Sequence, residues 1–180
     1  MANQVTPTFI PPIGQRLGLT IAGCISTSLL CGALLFQYVG GLAPCSLCIW
    51  QRWPHLAVIF LAFIGLRGIM PRCMLWLIFI AGGISVGLGG YHAGIEYGFW
   101  VGPAGCTANL TLDEDIKTLT QQLLITPLVR CDEVPWSLFG LSMAGWNALI
   151  SLDIIAVAFI SLRSIRFSPF QTDSQRHLHD

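Results

Sequence analysis

Charge is what this sequence has least of. Asp, Glu, Lys and Arg together make up 10% of its 180 residues, while 54% are hydrophobic; an ordinary soluble domain carries about 25% charged residues. That imbalance excludes an ordinary soluble domain and makes a lipid bilayer the simpler solvent. The formal net charge is zero and neither a basic run nor an acidic tail is present. Nucleic acid is therefore excluded as an expected partner, and the few charges matter by position. A cleavable secretory signal is missing too. Met1 to Arg16 carries a single Arg and several Pro, and the apolar stretch after it lacks an A-x-A-like cleavage site and outruns a signal core. It is read as an uncleaved first span. Internal repeats and low-complexity segments are also absent.

Long apolar runs take the place of these features. A membrane helix needs about 20 apolar residues, because ~1.5 Å of rise per residue must cross ~30 Å of hydrocarbon. Leu17 to Val39 and Cys73 to Tyr91 contain no charged residue, and Trp136 to Leu162 contains only Asp153. Trp53 to Leu66 is too short alone. It reaches full length only if its helix begins near Cys48 and takes Arg52 into its first turns. The expectation is an all-α membrane protein, one four-helix transmembrane bundle over residues 1–180, with spans near 17–39, 48–66, 73–91 and 138–162. Two loops, 40–47 and 92–137, then share one face. Arg16, Arg67, Arg72, Arg163, Arg166 and Arg176 fall on the side of the termini. The other side holds Arg52, Lys117 and Arg130 among Glu96, Asp113, Glu114, Asp115, Asp132 and Glu133. The positive-inside rule puts both termini in the cytoplasm.

The same topology sorts the seven cysteines. Cys45, Cys48, Cys106 and Cys131 fall outside, where disulfides persist. Cys24, Cys31 and Cys73 fall within the membrane or near its inner face. Cys24 and Cys31 read as small packing residues, and Gly83 with Gly87, then Gly90 with Gly94, as close-approach positions between helices. In the second loop, Thr111 to Glu114 fits a capping box, with Ile116, Leu119, Leu123 and Leu124 at helical spacing after it. Asn109-Leu110-Thr111 matches a glycosylation sequon. Asp153, deep in the fourth span, is a functional candidate because a carboxylate is costly there. Asn147 and Ser151 nearby are read as helix-packing hydrogen bonders.

Cys45 and Cys48 form a C-x-x-C, a spacing that serves redox exchange, zinc binding or a static clip. A clip across four residues constrains almost nothing, and a structural zinc usually sits in a small domain that it folds. The pair is read as redox-active and no metal is expected. Cys106 and Cys131 bracket one loop and suit a clip well. Pro44 favours a turn into a helix, which puts Cys48 near a helix N-terminus, where unpaired N–H groups stabilise a thiolate. Arg52, one turn deeper on the same face, favours the thiolate further and can polarise an acceptor's carbonyl oxygen. Gln51, Trp50 and Trp53 suit an aromatic belt or a ring-binding pocket; Gln51 is placed with the cofactor-binding residues. His92, at the matching end of the third span, is a candidate for quinone or proton handling.

The run Pro44-Cys45-Ser46-Leu47-Cys48-Ile49-Trp50-Gln51-Arg52 resembles the signature of the bacterial disulfide bond formation protein B (DsbB) family. Tyr91 to Glu96 and Cys131 to Trp136 are similar to further segments of that family. The resemblance implies an inner-membrane, quinone-reducing protein-disulfide oxidoreductase with its redox cysteines on the periplasmic side. It implies that a reduced, thioredoxin-like periplasmic oxidase of the DsbA type attacks a Cys106–Cys131 disulfide through Cys106. Electrons then pass to Cys45 and Cys48 and on to ubiquinone or menaquinone, with Cys48 facing the quinone as a thiolate and Arg52 and His92 in support. Such a partner, near about −120 mV, needs a sink stronger than glutathione, and a quinone dissolved in the membrane supplies one.

Overall fold

The computed structural model describes residues 13–103, 106 and 130–163. Four helices account for most of them: α1 (Ile13–Tyr38), α2 (Ser46–Leu66), α3 (Pro71–Glu96) and α4 (Met143–Arg163). Each is long and apolar enough to cross a membrane. Their outward faces carry large apolar side chains, Phe60 and Ile80 among them, which only lipid can cover at this density. The capping box with its short amphipathic helix, the sequon, Lys117, Arg166 and Arg176 lie outside the described residues.

Local chemistry sets the ends of the helices. Cys45 is the N-cap of α2, extended at φ −73° and ψ 170°, with its sulfur accepting the Cys48 backbone N–H. Gly68, at φ 86°, turns the chain after α2, and Pro71 opens α3 where a missing N–H costs nothing. Beyond α3 a small hairpin, β1 (Ser137–Leu138) with β2 (Leu141–Ser142), turns through Phe139 and Gly140. Both turn residues have positive φ, 53° and 76°, as a two-residue type I′ turn requires. The Ser142 hydroxyl then accepts the Gly145 N–H at 3.2 Å and caps α4.

Short connections, 39–45 and 67–70, set α1, α2 and α3 antiparallel in turn, and α4, reached through the long segment 97–142, completes an up-down-up-down bundle in which α3 lies against α2 and α4, and α1 against the same two from the opposite corner. The interior changes character along the bundle axis. At the end where α1 begins, Leu19, Val58, Ala62, Leu75, Ile78, Ile154 and Ala158 form an apolar core. The middle is polar: Ser26, His55, Ser85 and Ser151 are all buried there. At the far end sulfur dominates, with Cys45, Cys106 and Cys131 buried around Leu47 and Ile95.

Two packing expectations are corrected. A Cβ on Gly83, Gly87 or Gly90 would meet nothing within 4 Å, and one on buried Gly94 would run into the Trp100 ring, not a neighbouring helix. The glycines that admit α4 are Gly82, against Ile155, and Gly89, against the Ala144 carbonyl and Ala148. The four-residue spacing is real, but Gly83, Gly87 and Gly90 face outward, about 100° of helix rotation from the buried stripe. Cys24 and Cys31 likewise share one face of α1, and that face is exposed; Leu19, Ala22 and Ser26 hold the inner one. Asp153 is exposed as well, and the interhelical bonds come from Asn147 and Ser151.

Candidate active site

The N-cap position of Cys45 organises the site. Its sulfur lies 2.9 Å from the Cys48 sulfur and 3.5 Å from His92 Nε2. Because the Cys45 sulfur already accepts the Cys48 backbone N–H at 3.2 Å, it is the natural seat of negative charge, and the Cys48 thiol donates to it. That hydrogen bond, with His92 beside it and against the opposing cost of burial, holds the Cys45 thiol far below the ordinary range, at about 4. The sequence placed the helix-terminus thiolate at Cys48. The helix starts earlier, at Ser46, so the terminal N–H serves Cys45.

A low value means the thiolate persists until the pH falls through it. With Cys45 and Cys48 reduced, alkylation of Cys45 by iodoacetamide should hold its rate from about pH 8 to about pH 5 and fall as the pH passes about 4. An ordinary thiol loses rate about tenfold per unit below ~8.5. Peptide mapping of the alkylated protein measures the profile, and a loss of rate beginning near pH 8 would contradict the assignment.

The second cysteine pair sits directly above. Cys106 and Cys131 are joined as a disulfide that closes a separation of 25 residues, and the Cys131 N–H bonds back to the Cys106 carbonyl at 2.8 Å. The Ser46 hydroxyl, inside the C-x-x-C, stands 3.0 Å from the Cys106 sulfur and 3.9 Å from that of Cys131. The Cys45 sulfur, His92 nitrogen and Cys131 sulfur all lie within 4.8 Å of one another. With the Cys131 sulfur already bonded to Cys106, the two cysteine pairs stand in line. Arg130, on the outer loop, grips Asp132 at 2.6 Å and Glu133 at 3.5 Å, and its guanidinium holds the Asp132 carboxyl below the usual carboxylate range.

Below the sulfurs opens a cavity of about 580 Å³, bounded by Cys48, Gln51, Arg52 and His55 of α2, His92 and Glu96 of α3, and Asn147 of α4. Arg52 donates through Nη1 to Gln37 Oε1 of α1 at 2.7 Å. Its Nε is buried without a partner, as is Glu96 Oε2. Unsatisfied buried donors are costly, so Arg52 Nε asks for an acceptor from whatever fills the cavity. Trp50 and Trp53 point outward and are 61% and 62% exposed, which makes them belt residues; Gln51 is buried and turned inward.

Arg52 and His92, expected near matching ends of the second and third spans, come together only through the cavity that both border. What sequence reasoning missed is His55, 3% exposed in mid-span. The signal was available, since an ionisable residue within a span is a functional candidate by default. Ser46 was missed as well, and nothing in a lone serine announces a contact with a loop 60 residues away.

A family model described as disulfide bond formation protein DsbB matches residues 15–161. The chain belongs to the DsbB family. Relatives agree along its length. Disulfide bond formation protein B of Burkholderia ambifaria is 32% identical over 155 residues, 82% of this chain and 88% of the relative. The protein of that name from Pasteurella multocida is 33% identical over 143 residues, covering 74% and 78%. That of Marinobacter nauticus is 31% identical over 159 residues, covering 84% and 92%. Membership in the DsbB family makes this a multi-pass membrane protein of disulfide bond formation, with the four-helix architecture expected of it.

Proposed function

We propose that the chain reoxidises a DsbA-type periplasmic dithiol oxidase and passes the electrons to a membrane quinone. The observation that carries this reading is the line of sulfurs, Cys106–Cys131 then Cys45 then Cys48, ending on a membrane-level cavity with an unpartnered Arg52 Nε. The site end of the bundle is read as periplasmic and both termini as cytoplasmic, a reading supported by Arg16, Arg67, Arg72 and Arg163 gathering at the opposite end.

The exchange balances with this chain's own residues. The partner's thiolate attacks Cys106, and Cys131 leaves as a thiolate. A second partner thiol releases the partner as its disulfide, so two thiols remain on the loop. Cys131 attacks Cys45 of the Cys45–Cys48 disulfide; the Cys45–Cys131 bond forms, and Cys48 leaves into the cavity carrying the charge. Cys106 then attacks Cys131, restoring the loop disulfide and leaving Cys45 as the thiolate that its N-cap position favours. A quinone, ubiquinone or menaquinone, supplies the two-electron, two-proton sink that restores the Cys45–Cys48 disulfide. Arg52, with its unpartnered Nε–H, would hold a ring oxygen of such a group, and His92 and Gln51 border the same cavity.

Trapping tests the relay. Wild-type protein mixed with a reduced thioredoxin-like oxidase that lacks its second cysteine should accumulate a mixed disulfide through Cys106, with Cys131 as the leaving thiolate, visible on non-reducing gels because no second partner thiol can release it. Without an adduct, and without dithiol-dependent reduction of either added quinone by wild-type protein, the enzyme reading is lost. Arg52→Ala should lower quinone turnover about a hundredfold to a thousandfold, the scale of one lost charge-stabilising donor. Arg67→Ala, at the other end of the bundle, should leave turnover near wild type. Equal effects of the two changes count against the role given to Arg52.

A further inference from the structure

His55 belongs to no step described so far, yet it is joined to His92 by an unbroken hydrogen-bonded path. His55 Nε2 faces Asn147 Oδ1 at 2.8 Å. Asn147 Nδ2 donates to Gln51 Oε1 at 2.9 Å. Gln51 Nε2 faces His92 Nδ1 at 2.7 Å, and His92 Nε2 faces the Cys45 sulfur. At the inner end, His55 Nδ1 lies 3.4 Å from Ser26 Oγ, and Nε2 lies 3.1 Å from Ser85 Oγ, itself 2.8 Å from Ser151 Oγ. All four helices contribute.

The path has a direction. With Gln51 Nε2 donating, His92 Nδ1 must accept, so the ring proton of neutral His92 sits on Nε2 and points at Cys45. Farther in, Asn147 Oδ1 accepts from Nε2–H of His55, whose Nδ1 accepts from the Ser26 hydroxyl. In this polarity His92 can only donate to the Cys45 sulfur. Rotating both amides by half a turn reverses every bond. His92 Nδ1–H then donates to Gln51 Oε1 and frees Nε2 for a proton, while the proton of His55 moves to Nδ1 and toward Ser26. Each interior member, imidazole, amide or hydroxyl, can both donate and accept, so both polarities satisfy the buried groups.

We propose that His55 and Asn147 are positioning residues that, through Gln51, make this hydrogen-bonded path reversible, so that His92 alternates between donor to the Cys45 thiolate and acceptor of the proton that reaches that sulfur from the Cys48 thiol. The purpose rests on the thiol-to-quinone reading above: the proton held between Cys48 and Cys45 must leave as the Cys45–Cys48 bond forms. The coupling itself does not. The charged and titratable groups around His92 are Cys45, Glu96 at 4.0 Å and, across the cavity, Cys48, Arg52, Arg130 and Glu133. His55 is met by Ser26 of α1, Ser85 of α3 and Asn147 of α4, all neutral, with Arg52 bordering the same cavity.

The test is nitrogen NMR of the histidine-labelled full chain in nanodiscs, reduced and without quinone or partner. Titrating His92 should move the His55 ring nitrogens between their protonated and unprotonated ranges with the same midpoint. In Asn147→Leu, and in the less bulky Asn147→Ala, His55 should no longer follow. Asn147→Gln, which keeps a donor and an acceptor, should restore the link. His55 nitrogens that stay fixed through the His92 titration, or that follow it equally in Asn147→Ala, overturn the proposal. In turnover, Asn147→Ala should lose about tenfold with a displaced pH profile and an unchanged KM for the partner dithiol. A wild-type rate and pH profile would remove the catalytic purpose. Failure of wild-type protein to reduce quinone would instead strike at the proposed function, and the quinone-free NMR result separates the two.

Discussion

Cys48→Ala should lower dithiol-dependent quinone reduction about a thousandfold or more while leaving the capture of a reduced partner at Cys106 intact. The size follows from what is lost. Removing a covalent participant, unlike trimming a neighbour, typically costs about 10³-fold or more. The selectivity follows from geometry. Cys106 and Cys131 hold their own disulfide above the mouth of α2, and neither depends on Cys48 for its bond. Cys48 contributes the sulfur that borders the cavity beside Arg52 and the thiol that donates to Cys45. The variant should therefore stop with the loop pair reduced, since Cys45 without Cys48 offers Cys131 no disulfide to attack. Mass spectrometry of the arrested protein should find Cys106 and Cys131 as thiols or Cys106 still joined to the partner, with Cys45 unbonded. Quinone reduction at more than about a tenth of the wild-type rate would remove Cys48 from the path.

The largest stability effect is expected at Gly89. A Cβ there would already stand 3.0 Å from the Ala144 carbonyl and 3.1 Å from Ala148 Cβ and N. Two of those three atoms are backbone and cannot rotate away, so a leucine must push α3 from α4. Overpacking of this kind costs about 1–3 kcal/mol, and the upper part of that range is expected here. The same substitution at Gly83 or Gly87, where nothing lies within 4 Å, should stay within about 0.5 kcal/mol. Unfolding in mixed micelles with increasing denaturing detergent measures all three variants on one scale. Comparable losses at all three glycines would contradict the packing described for α3.

This contrast shows what the sequence could and could not reveal. Hydropathy announced four helices because lipid demands about 20 apolar residues per crossing, and Pro44 marked a turn into α2, whose start was expected near Cys48 and lies at Ser46. Rotation about each helix axis was not legible. In a bilayer the outward face is as apolar as the inward one, so Gly83 and Gly82, or Cys24 and Ser26, look equally suited to the interior. Polar residues break that symmetry. His55, Ser85, Asn147 and Ser151 all point inward, because hydrocarbon offers them no partner. Arg52 and Gln51 were legible beside the C-x-x-C; their partners Gln37 and Asn147, on other helices, were not.

The layered interior carries a consequence for bioenergetics. Between the Ser26–His55–Ser151 layer and the end that holds the arginines, the described core is Leu19, Val58, Leu75, Ile78, Ile154 and Ala158, with Gln15 and Ser161 as the buried polar side chains there, and none of these titrates. Among the described residues, buried titratable groups that could take a proton released at the thiols therefore lie in the cysteine half of the bundle. On the proposed quinone reading, turnover on this architecture is scalar: it would move electrons into the lipid phase without pumping protons across it. In sealed vesicles its rate should be indifferent to an imposed membrane potential.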